Sequence, residues 1–167
     1  NRVATGVHDP LTARCVALEA GRVVVICGVD SIGLFFDDVQ RIRAQAAPRL
    51  PQAATVIVAA THDHEAVDTM GLWGPMPGVS GLDERYATFL IDRTAEAAVA
   101  AVAALQPARA RLVTTRFPGI ETYFHDSRPP VVHDPDIVAL ALSTAAGAPI
   151  ATLVNWASHP EALGGRN

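Results

Sequence analysis

The alternation of apolar and polar residues predicts three strands and a helix in the first third of the chain. Residues 14–18 and 23–29 are apolar and rich in β-branched side chains, and Gly21 between them indicates an antiparallel hairpin. Residues 37–47 are expected to form a short helix that ends before two prolines. Residues 54–60 form another apolar run, which is typical of a buried strand.

The clearest helix is expected over residues 83–105. Asp83 can cap its first turn, because a carboxylate there accepts hydrogen bonds from the first backbone N–H groups. Tyr86 and Leu90 then fall at helical spacing, and Pro107 stops the helix.

Three further strands and two irregular stretches complete the pattern. Residues 109–117 alternate enough for a strand, and residues 137–143 and 150–156 are expected to form a second hairpin. Residues 66–82 and 118–135 are irregular, and loops of that length often carry function. Hairpins at both ends with helices between them predict an α/β or α+β class, with a mixed β-sheet covered by helices in a single domain.

The composition is that of a globular protein. Half of the 167 residues are apolar, which is enough to bury a sizeable core. The net charge of −4 comes from scattered residues, without the basic run that nucleic-acid binders show, so nucleic acid is disfavoured as a partner. No apolar stretch approaches the length needed to cross a bilayer.

Cys15 and Cys27 lie on the two strands of the first predicted hairpin. A disulfide across the strands is one interpretation. Two cysteines with apolar neighbours are more commonly small buried side chains, so we favour the reduced pair. The pair does not settle the cellular compartment.

Three predicted core strands are each followed by a residue that can bind a metal or move a proton. The three residues are Asp30, His62 and His159. In open sheets, ligands gather at strand ends, where a rigid scaffold presents side chains to a crevice between loops. The convergence predicts a functional site at this edge, with Asp30 as a candidate catalytic residue.

The segment Thr61-His62-Asp63-His64-Glu65 carries the sharpest local signal. In an extended chain alternate side chains point the same way, so His62 and His64 can face one metal ion while Asp63 faces away. His159 follows a third strand, so we favour a shared metal site over the alternative that the three histidines have unrelated structural roles. Among common metals, zinc suits imidazole ligands best, and manganese and iron are alternatives. Because zinc activates a water or polarises a carbonyl, it indicates a hydrolase.

Other histidine patterns fit poorly. The metallo-β-lactamase pattern needs Asp and His at the fourth and fifth positions after the first histidine, where this chain has Ala66 and Val67. Amidohydrolase barrels carry their histidine pair on the first strand of a strand–helix repeat, whereas here it follows a hairpin and a helix. His125 and His133, in the second irregular stretch, are expected to be surface residues.

Four segments form a set whose order and spacing match one known family. They are Gly6-Val7-His8-Asp9-Pro10-Leu11, Val29-Asp30-Ser31-Ile32-Gly33, Ala60-Thr61-His62-Asp63-His64 and Asn155-Trp156-Ala157-Ser158-His159-Pro160. Together they resemble the N-terminal part of the neutral/alkaline non-lysosomal ceramidase family, over essentially the whole chain. Members usually continue the His-x-His motif with Ser-Gly-Pro, where this chain has Glu65-Ala66-Val67, which indicates a divergent branch.

The resemblance implies a zinc-dependent amidase that acts on the N-acyl bond of a lipid, peptide or small-molecule substrate. In the family, the first histidine of the motif and the later strand-end histidine bind one zinc, which implies His62 and His159 here, and His64 would be a catalytic residue beside the metal. A glutamate, a tyrosine and a serine complete the family site after the matched region. The chain is therefore expected to be a processed subunit or one stretch of a longer protein, completed by a C-terminal segment or second chain.

Two questions stay open in the sequence. The loss of Ser-Gly-Pro also suits a ceramidase-like domain without catalysis that serves as a binding or assembly module. The resemblance is typical of secreted or periplasmic proteins, with a cytoplasmic location as the alternative.

Three residues after the His-x-His motif are candidate substrate contacts, namely Trp73, Glu65 and Asp68. The two carboxylates, together with Glu161, are alternatively partners that fix the histidine tautomers, or solvated loop residues. Residues 66–82 are expected to line the mouth of the substrate pocket, and a buried Trp73 is the alternative.

Overall fold

The computed structural model describes residues 4–123, 126 and 128–159. Within these residues the chain divides into two compact units, residues 4–105 and residues 106–159. The expectations for His125 and Glu161 lie outside the described residues. A single domain that continues beyond residue 167 stays a prediction.

The first unit is built on a three-stranded sheet in the order β1-β2-β3. Its strands are β1 (Ala13–Glu19), β2 (Val23–Val29) and β3 (Thr55–Ala60). The predicted hairpin is confirmed, since β1 and β2 pair antiparallel, and Gly21 has the positive φ of 77° that this tight turn requires. Strand β3 pairs in parallel with β2, so the two strands end at the same edge of the sheet.

Two helices cover one face of this sheet. They are α1 (Phe36–Ala46), which continues into a 3₁₀ turn, and α2 (Glu84–Ala103). Alternate residues of β2 are buried, because one face of the strand packs against α2, and Val25 and Cys27 are fully enclosed there. Ile42 of α1 and Ile91 of α2 pack with small alanines to complete the core.

The start of α2 has the predicted cap. The Asp83 carboxylate accepts hydrogen bonds from the backbone N–H groups of Arg85 and Tyr86, at 2.9 and 3.4 Å. The side-chain hydrogen bond from Arg85, followed by its backbone hydrogen bond, lowers the pKa of Asp83 below its ordinary value. The carboxylate is therefore ionised at neutral pH, which also suits the positive end of the helix dipole.

Removing this cap is expected to destabilise the fold. Asp83→Ala should lower Tm by about 2–4 °C, because two backbone N–H groups lose their acceptor. Asp83→Asn keeps an acceptor oxygen and should change Tm less. Differential scanning calorimetry measures both variants, and an equal fall in the two would contradict the capping role.

Cys15 and Cys27 form a disulfide, so the favoured expectation of two reduced cysteines is wrong. The two residues are direct partners in the β1–β2 register, with Cα atoms 4.0 Å apart. This register brings their side chains to the same face of the hairpin. The apolar neighbours that suggested buried thiols surround the disulfide instead.

The second unit is a three-stranded antiparallel sheet in the order β4-β5-β6. Its strands are β4 (Arg109–Thr115), β5 (Ile137–Ser143) and β6 (Pro149–Trp156). A 3₁₀ turn over Ile120–Tyr123 lies in the irregular stretch after β4. The Tyr123 ring contacts those of Phe117 and Trp156, with ring centroids 5.6 and 6.4 Å apart, and so ties this stretch to β6.

The predicted α/β or α+β class is confirmed. In the described part of the chain the strands divide into two sheets of three, of which the first is mixed and covered by helices and the second is antiparallel. Helix bounds differ from the expectation by one or two residues, as is usual where helix ends fray. Within the described ranges, no helix combines the length and the apolar character needed to span a membrane.

Candidate metal centre

Strands β2 and β3 end side by side, and backbone contact continues past their ends. The N–H of Asp63 donates to the carbonyl oxygen of Ser31 at 3.1 Å. Asp30 and His62, which follow the two strands, therefore lie at the same edge of the sheet. This is the edge at which parallel strands commonly present functional side chains.

The His-x-His segment is a turn, so the expectation of an extended chain is wrong. His62 has a φ of 62°, in the left-handed region that side chains other than glycine rarely adopt. The Asp63 carboxylate accepts the N–H of Glu65 at 2.9 Å, and its carbonyl accepts the N–H of Ala66 at 3.3 Å. Such strained positions are concentrated at functional sites, where the surrounding structure holds them.

The turn still brings the two histidine rings together. The His62 Nδ1 lies 2.7 Å from the carbonyl oxygen of Ile32, and because a carbonyl only accepts, Nδ1 carries the proton. In the neutral ring with this tautomer, the lone pair that can bind a metal is on Nε2. That atom lies 3.2 Å from His64 Nε2, and the rings are nearly perpendicular, with centroids 4.7 Å apart.

This arrangement fits a transition-metal site. A metal-binding histidine usually donates its second ring N–H to a carbonyl or carboxylate, as His62 does to Ile32. Two nitrogens that bind one tetrahedral zinc, each at about 2.0–2.1 Å, are roughly 3.3 Å apart. The observed 3.2 Å between the two Nε2 atoms matches that spacing.

His159 lies in the second unit, three residues after the end of β6. The segment before it is held locally, since the hydroxyl of Ser158 donates to the carbonyl of Tyr123 at 3.3 Å. The backbone N–H of Ser158 donates to the carbonyl of Trp156 at 3.1 Å. The position of His159 after a strand thus matches the sequence expectation.

Asp30 holds the ends of the first sheet together. Its Oδ2 accepts the backbone N–H and the hydroxyl of Thr12, at 2.9 and 2.6 Å. Its Oδ1 accepts the hydroxyl of Thr61 at 3.3 Å. Arg14 forms an ion pair with Oδ2 at 3.7 Å. The carboxylate thereby contacts the residue immediately before His62.

A cavity of about 410 Å³ adjoins Asp30 on the side of α2. Tyr86, Phe89 and Arg93 of α2 line it. Burial, and then the negative charge of Asp30, raises the pKa of Tyr86 above its ordinary value. Tyr86 is therefore a neutral phenol at physiological pH.

The Trp73 loop, residues 66–82, begins directly after the His-x-His turn. Residues 70–80 line an open cavity of about 650 Å³, and none of them is charged. The Trp73 ring lies 6.5 Å from that of His64, measured between centroids. Trp73 is 52% exposed, so the alternative of a buried Trp73 is wrong.

Asp68 anchors this loop. Its Oδ2 accepts the backbone N–H of Trp73 at 2.8 Å, and its Oδ1 accepts that of Met70 at 3.0 Å. Burial raises the pKa of the carboxyl, but the backbone N–H groups around it outweigh burial and bring the pKa below its ordinary value of 3.8. The ionised form therefore stabilises the loop above pH 3.8, and this stabilisation is lost as the pH falls below that value through the lower folded pKa.

Asp68→Ala is expected to loosen the Trp73 loop. With two backbone N–H groups left without their acceptor, chymotrypsin should cleave after Leu72 or Trp73 about fivefold faster. Glu65→Ala, which removes an exposed carboxylate from the neighbouring turn, is the matched control and should leave the rate unchanged. Equal cleavage rates for the two variants would contradict the anchoring role.

Glycines let the two arms of the Trp73 loop touch. A Cβ at Gly74 would collide with the backbone carbonyl of Val79. A Cβ at Gly71, which has a positive φ of 72°, would collide with the side chain of Ser80. The loop is therefore a closely packed unit whose shape depends on these glycines.

Two other residues singled out in the sequence lie on the surface. Glu65 and His133 are both exposed, as expected for His133. The carbonyl of Ile32, which fixes the His62 tautomer, and the hydroxyl of Thr12 were missed by the sequence reasoning. Neither has a sequence signal, because a backbone acceptor carries no residue signature and threonine before a strand is common.

A solved structure has a similar fold. It is titled "Ceramidase complexed with C2" and matches with a TM-score of 0.62 and 17% identity, covering 85% of this chain and 24% of that one. The chain thus has a ceramidase-like fold and spans about a quarter of the length of the ceramidase chain. No family model and no curated protein matches the chain.

Proposed function

We propose that this chain contributes part of the active site of a zinc-dependent hydrolase of N-acyl amide bonds, with His62 and His159 as zinc ligands. The observation that carries the proposal is the geometry of His62, whose Nδ1–H is held by the Ile32 carbonyl while Nε2 faces His64 Nε2 at 3.2 Å. The proposed ligands are imidazoles, and imidazole nitrogen suits zinc better than it suits calcium or magnesium.

The chain's own residues have distinct roles in this proposal. Bound zinc would polarise an amide carbonyl or activate a water. His64 is not a ligand in this proposal. Its Nε2 lies 3.2 Å from His62 Nε2, beside the metal position, where the ring can hold a proton and donate it to a leaving amine. Asp30 acts by positioning, because its contact with Thr61 fixes the residue before the ligand.

The substrate is proposed to lie along the Trp73 loop. Trp73 adjoins His64, and the surrounding residues are uncharged, which suits an apolar acyl group better than a charged one. Glu65, exposed in the turn beside His64, is the candidate to contact the polar side of the amide. Asp68 contributes indirectly, by holding the loop in shape.

The site is proposed to need a further segment of the protein. Catalytic zinc usually has three protein ligands and one open position. His62 and His159 would supply two, which is fewer than such a site needs, and the resemblance to ceramidases implies a glutamate and a tyrosine from a later segment as further ligands. The ceramidase chain with this fold is about four times as long as the matched part, which leaves room for such a segment.

Chelation and reconstitution test the proposal on the full-length protein. Its substrates would be an N-acylsphingosine, an N-acyl peptide and a small N-acyl amine, with release of the carboxylic acid as the readout. Removing the metal should abolish hydrolysis, and adding zinc should restore it. Hydrolysis that survives complete metal removal would contradict the proposal. Tight zinc binding without hydrolysis of any substrate would favour the binding or assembly module.

A further inference from the structure

The Trp73 loop exposes a group of large apolar side chains. Leu72 is 57%, Trp73 52% and Met76 63% exposed, and Val79 adds a fourth side chain at 44%. Residues 69–82 contain no Asp, Glu, Lys, Arg or His. Exposed groups of several large apolar side chains without charged residues among them commonly mark a binding surface.

The loop presents these side chains on a fixed frame. The glycine contacts close its two arms against each other, and Asp68 holds its base through the backbone N–H groups of Met70 and Trp73. The hydroxyl of Thr69, which is buried, donates to the carbonyl of Gly33 at 2.6 Å and ties the loop to the first sheet. Little conformational freedom is therefore lost when the exposed side chains bind a surface.

We propose that the Trp73 loop docks the protein on an electrically neutral lipid surface. Tryptophan is favoured at membrane–water interfaces, where its ring is apolar and its indole N–H stays hydrated, and leucine and methionine insert beside it. The absence of basic residues from the loop, together with the net charge of −4, disfavours an anionic surface and suits a zwitterionic one.

Two features distinguish this surface from a protein-binding one. Protein interfaces usually surround an apolar centre with polar and charged residues, including arginine, whereas residues 69–82 are uncharged throughout. The single carboxylate at the base, Asp68, accepts backbone hydrogen bonds of the loop itself. The loop also has no strand that a partner strand could extend, since residues 66–82 are irregular.

This inference goes beyond the proposed function, because docking requires neither the metal nor catalysis. It is therefore tested by vesicle binding, without an activity assay. A failed hydrolysis experiment and a failed docking experiment would be distinguishable outcomes.

Trp73 itself reports on docking in a full-length protein in which Trp156 and any tryptophan outside residues 1–167 are replaced by phenylalanine, because residues 1–167 contain only Trp73 and Trp156. Titration with phosphatidylcholine vesicles should shift its emission to the blue, and brominated lipid should quench it. Leu72→Asp and Met76→Asp should each weaken vesicle binding about tenfold, because an inserted apolar group is replaced by a charge. Val131→Asp is the matched control, since Val131 is 62% exposed in the second unit, and should bind like the parent.

Several outcomes would overturn the proposal. One is Trp73 emission that neither shifts nor is quenched by the lipid. Another is binding that the two loop variants leave unchanged, or binding that requires anionic lipid and disappears with salt, which would indicate basic residues elsewhere. Protection of Trp73 from acrylamide before any vesicle is added would show that protein already covers the loop.

Discussion

Replacing His62 by alanine is expected to lower kcat/KM for amide hydrolysis by at least about 10³-fold and to remove most of the bound zinc. The Nδ1–H of His62 donates to the carbonyl of Ile32, so Nε2 is the ring atom proposed to bind zinc, and His62→Ala removes it. The measurement is steady-state kinetics, with metal content determined on the same preparation.

Two further variants control this experiment. His133→Ala removes an exposed histidine from the second unit and should leave both kcat/KM and zinc content unchanged. His62→Asn keeps a residue that tolerates positive φ, so the turn should fold, while the imidazole is lost. Wild-type activity in a folded His62→Asn protein would contradict a ligand role for His62.

Loss of the Cys15–Cys27 disulfide is expected to destabilise the protein by about 3 kcal/mol, because it closes a loop between residues separated by 12 positions in sequence. The corresponding fall in Tm is about 6–12 °C for a chain of this size. The Cys15→Ala, Cys27→Ala double variant, unfolded in urea beside the parent, measures the change in free energy of unfolding.

Reductant is the matched control for the disulfide. It should lower the Tm of the parent toward that of the double variant, and it should leave the double variant unmoved. A parent whose thiols titrate as reduced but whose Tm is unchanged would contradict the stabilising role.

The local pattern predicted the elements of the fold well, because each depends on neighbouring residues. The strand Val23–Val29 was predicted with the bounds that it has, since its β-branched run lies between clear turn signals. Asp83 was predicted as a cap because the carboxylate and the helix it starts are adjacent in sequence. The division into two sheets depends on which strands pair, and no local pattern specifies that.

The candidate site shows the same division between local and long-range information. The positions of Asp30 and His62 at one sheet edge follow from strands that could be read from sequence, once β2 and β3 are parallel. The left-handed turn at His62 could not be read from the sequence, because positive φ is uncommon in all residues other than glycine and no neighbouring residue signals it. The structure compensates through contacts with Ile32 and Ser31, which are about thirty residues away in sequence.

The disulfide illustrates the same limit. Cys15 and Cys27 have apolar neighbours whether or not they are bonded, so composition favours buried thiols. Only the register Cys15↔Cys27 decides the matter, and a shift of one residue would place the two side chains on opposite faces.

Elemental analysis of the full-length protein tests the central claim most directly. Inductively coupled plasma mass spectrometry on protein purified without chelators or added metal should find zinc at close to one ion per chain, the content expected of one catalytic site. The His62→Asn protein, purified in parallel, should have lost it. A full-length protein that folds and binds no transition metal would contradict the account.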